Sequence, residues 1–121
     1  MKVIVAGGRW FTPKTPHYKW LKAQLRRLNA TVIVCGMARG ADRFGRSVAQ
    51  DVGLQIEEHP ADWALYGRRA GHVRNYEMAK SSDACILFPG GKGTESMRKI
   101  AHAQGLIVIE WKEERDENPS R

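Results

Sequence analysis

The sequence predicts an α/β fold: a single three-layer domain on a five-stranded parallel sheet in the order 3-2-1-4-5, spanning residues 1–111, with a charged tail over 112–121. Three observations predict it. Five short apolar runs recur along the 121 residues, and segments with helical spacing separate them. The strict alternation of the two then requires right-handed crossovers, and so parallel strands with helices on both faces. A chain of this length builds one core and not two.

The runs are KVIVA (2–6), TVIVC (31–35), LQIEE (54–58), ACILF (84–88) and LIVIEW (106–111). Four of them are nearly continuous in Val and Ile, the pattern of strands buried on both faces. MKVIVAGGRW has an apolar core of only five residues, shorter than the h-region of a signal peptide, so it reads as a first strand and the protein as cytoplasmic. The first helix follows from Tyr18, Leu21, Leu25 and Leu28, with Thr15 as N-cap and Pro16 at the first helical position. Phe44, Val48 and Val52 form the stripe of the second, which stops at Gly53. The third, about His72 to Ser81, rests on a thin stripe of Val73, Tyr76 and Ala79, and the last on Met97, Ile100, Ala101 and Gln104, ending at Gly105. Both glycines suit helix C-caps. The closing stretch EERDENPSR has no apolar residue and is expected to fray.

Composition narrows the function classes. The chain is 42% hydrophobic and 27% charged, ordinary for a globular protein, and no apolar run approaches the roughly 18 residues of a membrane span. Cys35 and Cys85 lie in apolar runs without partners at ligand spacing, and His17, His59, His72 and His102 have no spacing that demands a metal or a nucleophile. They read as core thiols and structural histidines, and no metal or cofactor is expected. The net charge of +7 invites a nucleic-acid reading. Its distribution qualifies that reading: residues 1–50 hold ten Lys or Arg against Asp42 alone, while residues 51–109 are balanced at seven each. Lys14, Lys19, Lys22, Arg26 and Arg27 fall on the polar face of the first helix, as a solvated surface would. The glycine-adjacent Arg9, Arg39 and Arg43 are more suggestive.

In a parallel sheet with this winding, ligands bind beyond the carboxyl ends of the strands, where the order reverses, here between the first and fourth strands. Those strands end in Gly7, Gly8 and Arg9 and in Pro89, Gly90, Gly91, Lys92, Gly93 and Thr94. The second ends in GMARGAD, with Gly36, Gly40, Ala41, Asp42 and then Arg43, and the third in HPADW, ending at Trp63. Bare backbone admits a ligand closely, and a helix N-terminus offers unpaired N–H groups, so the tips together make a phosphate cradle. Arg74 and Asn75, near the start of the third helix, add a bidentate phosphate donor and a reader of ribose or base edges. Trp63 offers an indole on which a base could stack. Glu77 is an ion-pair partner for Arg74 or an acid in the site. Lys92 is followed by Gly93, so there is no Walker loop, and GGRWFT is not a Gly-x-Gly-x-x-Gly dinucleotide turn. Neither a kinase nor an NAD-linked dehydrogenase is supported.

The ordered motifs GGR, CGMARGAD, ADW, AGHVRNYEM and PGGKGT resemble the SLOG superfamily of Rossmann-like nucleotide-binding proteins, most closely its YspA branch, related to YpsA, from Lys2 to Trp111. The resemblance implies a nucleotide or nucleotide-derived ligand at the glycine-rich rim. The LOG enzymes of the same superfamily, which hydrolyse the N-glycosidic bond of nucleoside 5′-monophosphates, resemble the chain through PGGxGTxxE and a preceding arginine, matched by Arg74. Their motif acid falls at Met97. Glu95 stands two residues earlier, about 200° away around a helix, and cannot simply replace it. An oxocarbenium-like transition state needs a carboxylate, so its loss argues against efficient hydrolysis unless Glu77 supplies it. Ligand binding or sensing is therefore the leading expectation, and phosphoribohydrolase activity through Arg74 and Glu77 is the alternative. Nucleic-acid binding is favoured by the basic first half alone. A homodimer is expected from the resemblance and from the prevalence of two-fold oligomers.

Overall fold

A computed structural model describes residues 1–36 and 40–113. Arg39 and most of the charged tail lie outside the described residues. The strands are β1 (Lys2–Ala6), β2 (Val32–Cys35), β3 (Gln55–Glu58), β4 (Ala84–Leu87) and β5 (Ile107–Glu110). All pair in parallel, in the order β3-β2-β1-β4-β5, as the alternation requires. The helices are α1 (Thr15–Arg27), α2 (Ala41–Val52), a single turn α3 (Trp63–Tyr66) followed by a 3-10 turn (Gly67–Arg69), α4 (Ala70–Lys80) and α5 (Lys92–Ala103).

Alternation along the central strands sorts the core into two halves. Val3, Val5, Ile33, Ala84 and Ile86 face α1 and α2, where they meet Leu21, Leu25, Phe44 and Val48. Ile4, Ala6, Val34, Cys85 and Leu87 face α4 and α5, where they meet Met78, Ala79, Met97 and Ile100. A strand covered on both faces has no polar side, which is why these runs read as continuous in the sequence. The edge strand β3 is exposed or half-buried throughout and correspondingly polar. Its Glu57 accepts from the Lys2 ammonium at 2.7 Å and lies 2.7 Å from His59 Nε2. Hydrogen bonds from His59 and Lys2 hold its carboxyl below the ordinary value of 4.5.

Several local expectations are corrected. The N-cap of α1 is Lys14, not Thr15: the buried ring of His17 accepts the Lys14 N–H at Nδ1 (2.8 Å), so a side chain inside the helix does the capping. Pro16 is accordingly the second helical residue, where its missing N–H still costs nothing. On α4 the buried face is Ala70, Asn75, Met78 and Ala79, whereas Tyr76 is exposed. Tyr18 and Val52 are also exposed ends of their stripes, although Tyr18 meets the Phe44 ring edge-on at 4.7 Å. The HPADW segment forms α3, capped by the Asp62 carboxylate, which accepts the Leu65 N–H at 3.0 Å.

α5 is clamped to the far edge of the sheet. Arg98 donates from Nε (3.0 Å) and Nη2 (2.6 Å) to Glu110 Oε1, and also pairs with Glu95. The hydrogen bonds from Arg98 hold the Glu110 carboxyl below 4.5. The clamp fixes the direction in which the N-terminus of α5 points.

Candidate functional site

The strand tips of β1 and β4 and the starts of α4 and α5 enclose a cleft of about 670 Å³. It is within the size range of small-ligand sites. Gly7 to Phe11 form one wall, Pro89 to Thr94 another, and Asp42, Arg74, Asn75, Met78 and Met97 complete the lining. The loops are locked to each other: Gly8 N–H donates to Pro89 O (2.8 Å), while Gly8 O accepts from Phe11 N–H (3.1 Å) and Ala41 N–H (3.3 Å).

The glycines fall into two groups. A Cβ on Gly7 would stand 2.6 Å from that of Ala41. On Gly8 it would meet the Pro89 carbonyl at 2.9 Å, and on Gly90 the amide of Gly8 at 2.6 Å and the Thr94 hydroxyl. Gly40, at φ 72°, presses on Gly8 O. These positions are bare because the chain packs against itself. Beyond their chain neighbours and the backbone of α5 itself, Gly91 and Gly93 have no protein atom within 4 Å of the Cβ position. Gly91 is the N-cap of α5, and no side-chain hydrogen bond caps it. The first-turn amides of α5 lack intrahelical partners, and the two glycines beside them, both lining the cleft, are required by no internal neighbour.

Arg74 and Asn75 act as ties. Arg74 donates from Nη1 to Gly36 O (2.7 Å) and from Nε to Asn75 Oδ1 (2.9 Å), and Asn75, almost fully buried, donates to Gly93 O (3.4 Å). A Cβ on Gly36 would collide with the Arg74 guanidinium. The pair therefore joins the tip of β2 to the first turn of α5 while both side chains line the cleft. Among the described residues, no ion pair joins Arg74 to Glu77. We expect Arg74→Ala to lower stability by about 1–3 kcal/mol, because it removes two hydrogen bonds from a charged donor, and to weaken any ligand held by the loops it ties. Urea unfolding beside calorimetric titration separates the two effects, and unchanged stability would mean the ties carry no weight.

Several residues singled out in the sequence stand away from the lining. Glu77 is exposed, one residue before the cleft-lining Met78 on α4. Arg43 is exposed on the first turn of α2, and Gly36, Gly40 and Ala41 support the cleft from behind. Trp63 is 62% exposed at the start of α3, with its ring edge over Gly71. The tryptophan in the cleft is Trp10. Spacing alone did not single it out, although an aromatic pair directly after a strand-tip GGR was a readable signal. Met97, at the position of the LOG acid, is 1% exposed and lines the cleft, and Asp42 is the carboxylate among the described lining residues.

A family model described as the YspA, cpYpsA-related SLOG family matches residues 1–66. The Gene 61 protein of Mycobacterium phage D29 is 34% identical over 120 residues, an alignment covering 91% of this chain and 95% of that protein. No solved structure matches the chain. The matched half carries β1, the GGR turn, β2 and the start of α2 at Gly40 and Ala41, and the likeness to the phage protein covers most of the chain. The chain belongs to the YspA, cpYpsA-related SLOG family.

Proposed function

We propose that the cleft binds a nucleotide or nucleotide-derived ligand, with its phosphate at the N-terminus of α5, and that the domain works as a ligand-binding or sensing unit. One observation carries the reading: Gly91 and Gly93 face open space at an uncapped helix start. Aligned peptide dipoles place about half a positive charge there, and unpaired amides need acceptors. Lys92 and Arg9 line the same cleft and supply cationic charge. Membership of the SLOG family is consistent with a nucleotide-related ligand.

Calorimetric titration with AMP, GMP, CMP and UMP beside the corresponding nucleosides tests it. Saturable binding that requires the phosphate is the expected result. Equal binding of nucleoside and nucleotide, or none of either, would overturn it. The basic first half does not favour nucleic acid: Lys22 pairs with Asp51 (2.7 Å) and Arg46 with Glu58 (2.9 Å), and Lys19, Arg26 and Arg27 are spread over the exposed side of α1. Among the described residues, no helix is long and apolar enough to cross a membrane.

A further inference from the structure

We propose that Trp10 is the stacking wall of the cleft: it takes the planar aromatic part of the ligand and makes the site selective for a base-bearing phosphate ester over a bare sugar phosphate. The inference rests on the phosphate reading above and adds the chemistry of the ligand's other end.

Trp10 is 79% exposed. An indole can remove roughly 150–250 Å² from water, and one left out of the core inside a concave site is an informative exception. The other tryptophans have different surroundings. Trp20 and Trp111 pack edge-to-face at 5.3 Å in the aromatic core, and Trp63 lies outside the cleft. Trp10 is also held on both sides. Gly8 is bonded to Pro89 before it, and Phe11 after it stacks on Phe88 at 5.0 Å and meets His17 edge-on at 4.9 Å. The indole is thus presented from an anchored turn, which reduces the ordering cost of binding.

The surroundings of the ring match a base. The Arg9 guanidinium stands over the indole at 5.5 Å from the ring centroid, a cation–π arrangement that leaves the opposite face for a ligand. Met78 and Met97 back the same cleft but are only 2% and 1% exposed, so they form its apolar floor and the open aromatic surface is the indole. Lys92 and the first-turn amides at the α5 end, with the exposed indole on the other wall, fit a molecule that is anionic at one end and flat and aromatic at the other. A sugar phosphate would leave the indole wet. Stacking tolerates any base, so Trp10 selects for the presence of a base and not for its identity.

The test is calorimetric titration of AMP and ribose 5-phosphate into wild type, Trp10→Ala, Trp10→Phe and a Trp63→Ala control, each checked by thermal unfolding. Wild type is expected to prefer AMP about ten-fold or more, the scale of one base on one aromatic platform. Trp10→Ala should erase that preference while leaving ribose 5-phosphate affinity unchanged, Trp10→Phe should keep most of it, and Trp63→Ala should keep all of it. Because Trp10 contributes little to the core, all variants should melt with the wild type. Saturable ribose 5-phosphate binding without an AMP preference, or a preference that survives Trp10→Ala, overturns the stacking wall and leaves the phosphate site standing. No wild-type binding of either compound overturns both.

Discussion

Gly90→Val and Gly91→Val, one residue apart, are expected to fail in opposite ways. The Gly90 variant loses about 3 kcal/mol of stability, because the new side chain is driven into the Thr94 hydroxyl and the Gly8 backbone, the latter held by its hydrogen bonds to Pro89 and Ala41. The Gly91 variant keeps its fold, since nothing beyond its chain neighbours stands within 4 Å of the added Cβ, but its methyls are expected to occupy the space in front of the α5 amides. Nucleotide affinity should fall about 100-fold or more, as expected when several charge-assisted hydrogen bonds are blocked together. Circular dichroism and chemical unfolding read the first effect, and calorimetric titration reads the second. If Gly91→Val binds like wild type, the loop is only a turn and the proposed phosphate position is wrong.

The second large effect is an expected absence of turnover. Wild-type protein should release no base from AMP, GMP, CMP or UMP under conditions where it binds one of them, because the resemblance to the LOG motif puts its acid at Met97 and the exposed Glu77 stands outside the cleft lining. Restoring the acid is not a simple exchange. Met97 is 1% exposed and packs with Ile4, Ala6 and Leu87 in one half of the core, so Met97→Glu buries a carboxyl among apolar groups. We expect it to cost about 2–4 kcal/mol, with any gained hydrolysis confined to the fraction that stays folded. Burial raises the pKa of such a carboxyl, so its penalty is smallest below the unfolded-state pKa and grows as the pH rises. Chromatographic detection of free base, run with Glu77→Gln and Met97→Glu, checks the turnover, and chemical unfolding of Met97→Glu at about pH 4 and about pH 8, below and above the unfolded-state pKa of glutamate, checks the penalty. Robust wild-type turnover lost in Glu77→Gln would identify Glu77 as the relocated acid and overturn the binding reading.

What the sequence made legible and what it hid divide along physical lines. The runs VIVA, VIVC and ACIL stand out because a strand covered on both faces has no polar side to break the pattern. The order of the sheet follows from the alternation of elements. The face of α4 is hidden because its buried positions include Asn75, whose place inside is stabilised by hydrogen bonds to Arg74 and the Gly93 carbonyl. A hydropathy pattern carries no trace of partners 18 residues away. The cap at Lys14 is hidden for a similar reason, since lysine has no capping side chain and the acceptor is the ring of His17. At the site, spacing identifies the glycine-rich tips as places where backbone must be bare. It does not say whether the visitor is the chain itself, as at Gly8 and Gly90, or leaves open space, as at Gly91 and Gly93. Trp63 and Trp10 are equally plausible loop tryptophans until the turn of α3 carries one away from the cleft.

Cys35 and Cys85 are fully buried in the strands on either side of β1, and burial pushes the Cys85 thiol up to about 12. Alkylating reagents attack thiolate, so the folded protein at neutral pH offers them almost nothing at Cys85. Modification must wait for the sheet to open at its centre, and its rate becomes a clock for that opening. A molecule seated across the tips of β1 and β4 binds only the closed form and slows the clock in proportion to its occupancy. Mass-spectrometric counting of modified cysteines can therefore rank a library of unlabelled metabolites against this protein without a chromophore, an enzymatic assay or a candidate ligand.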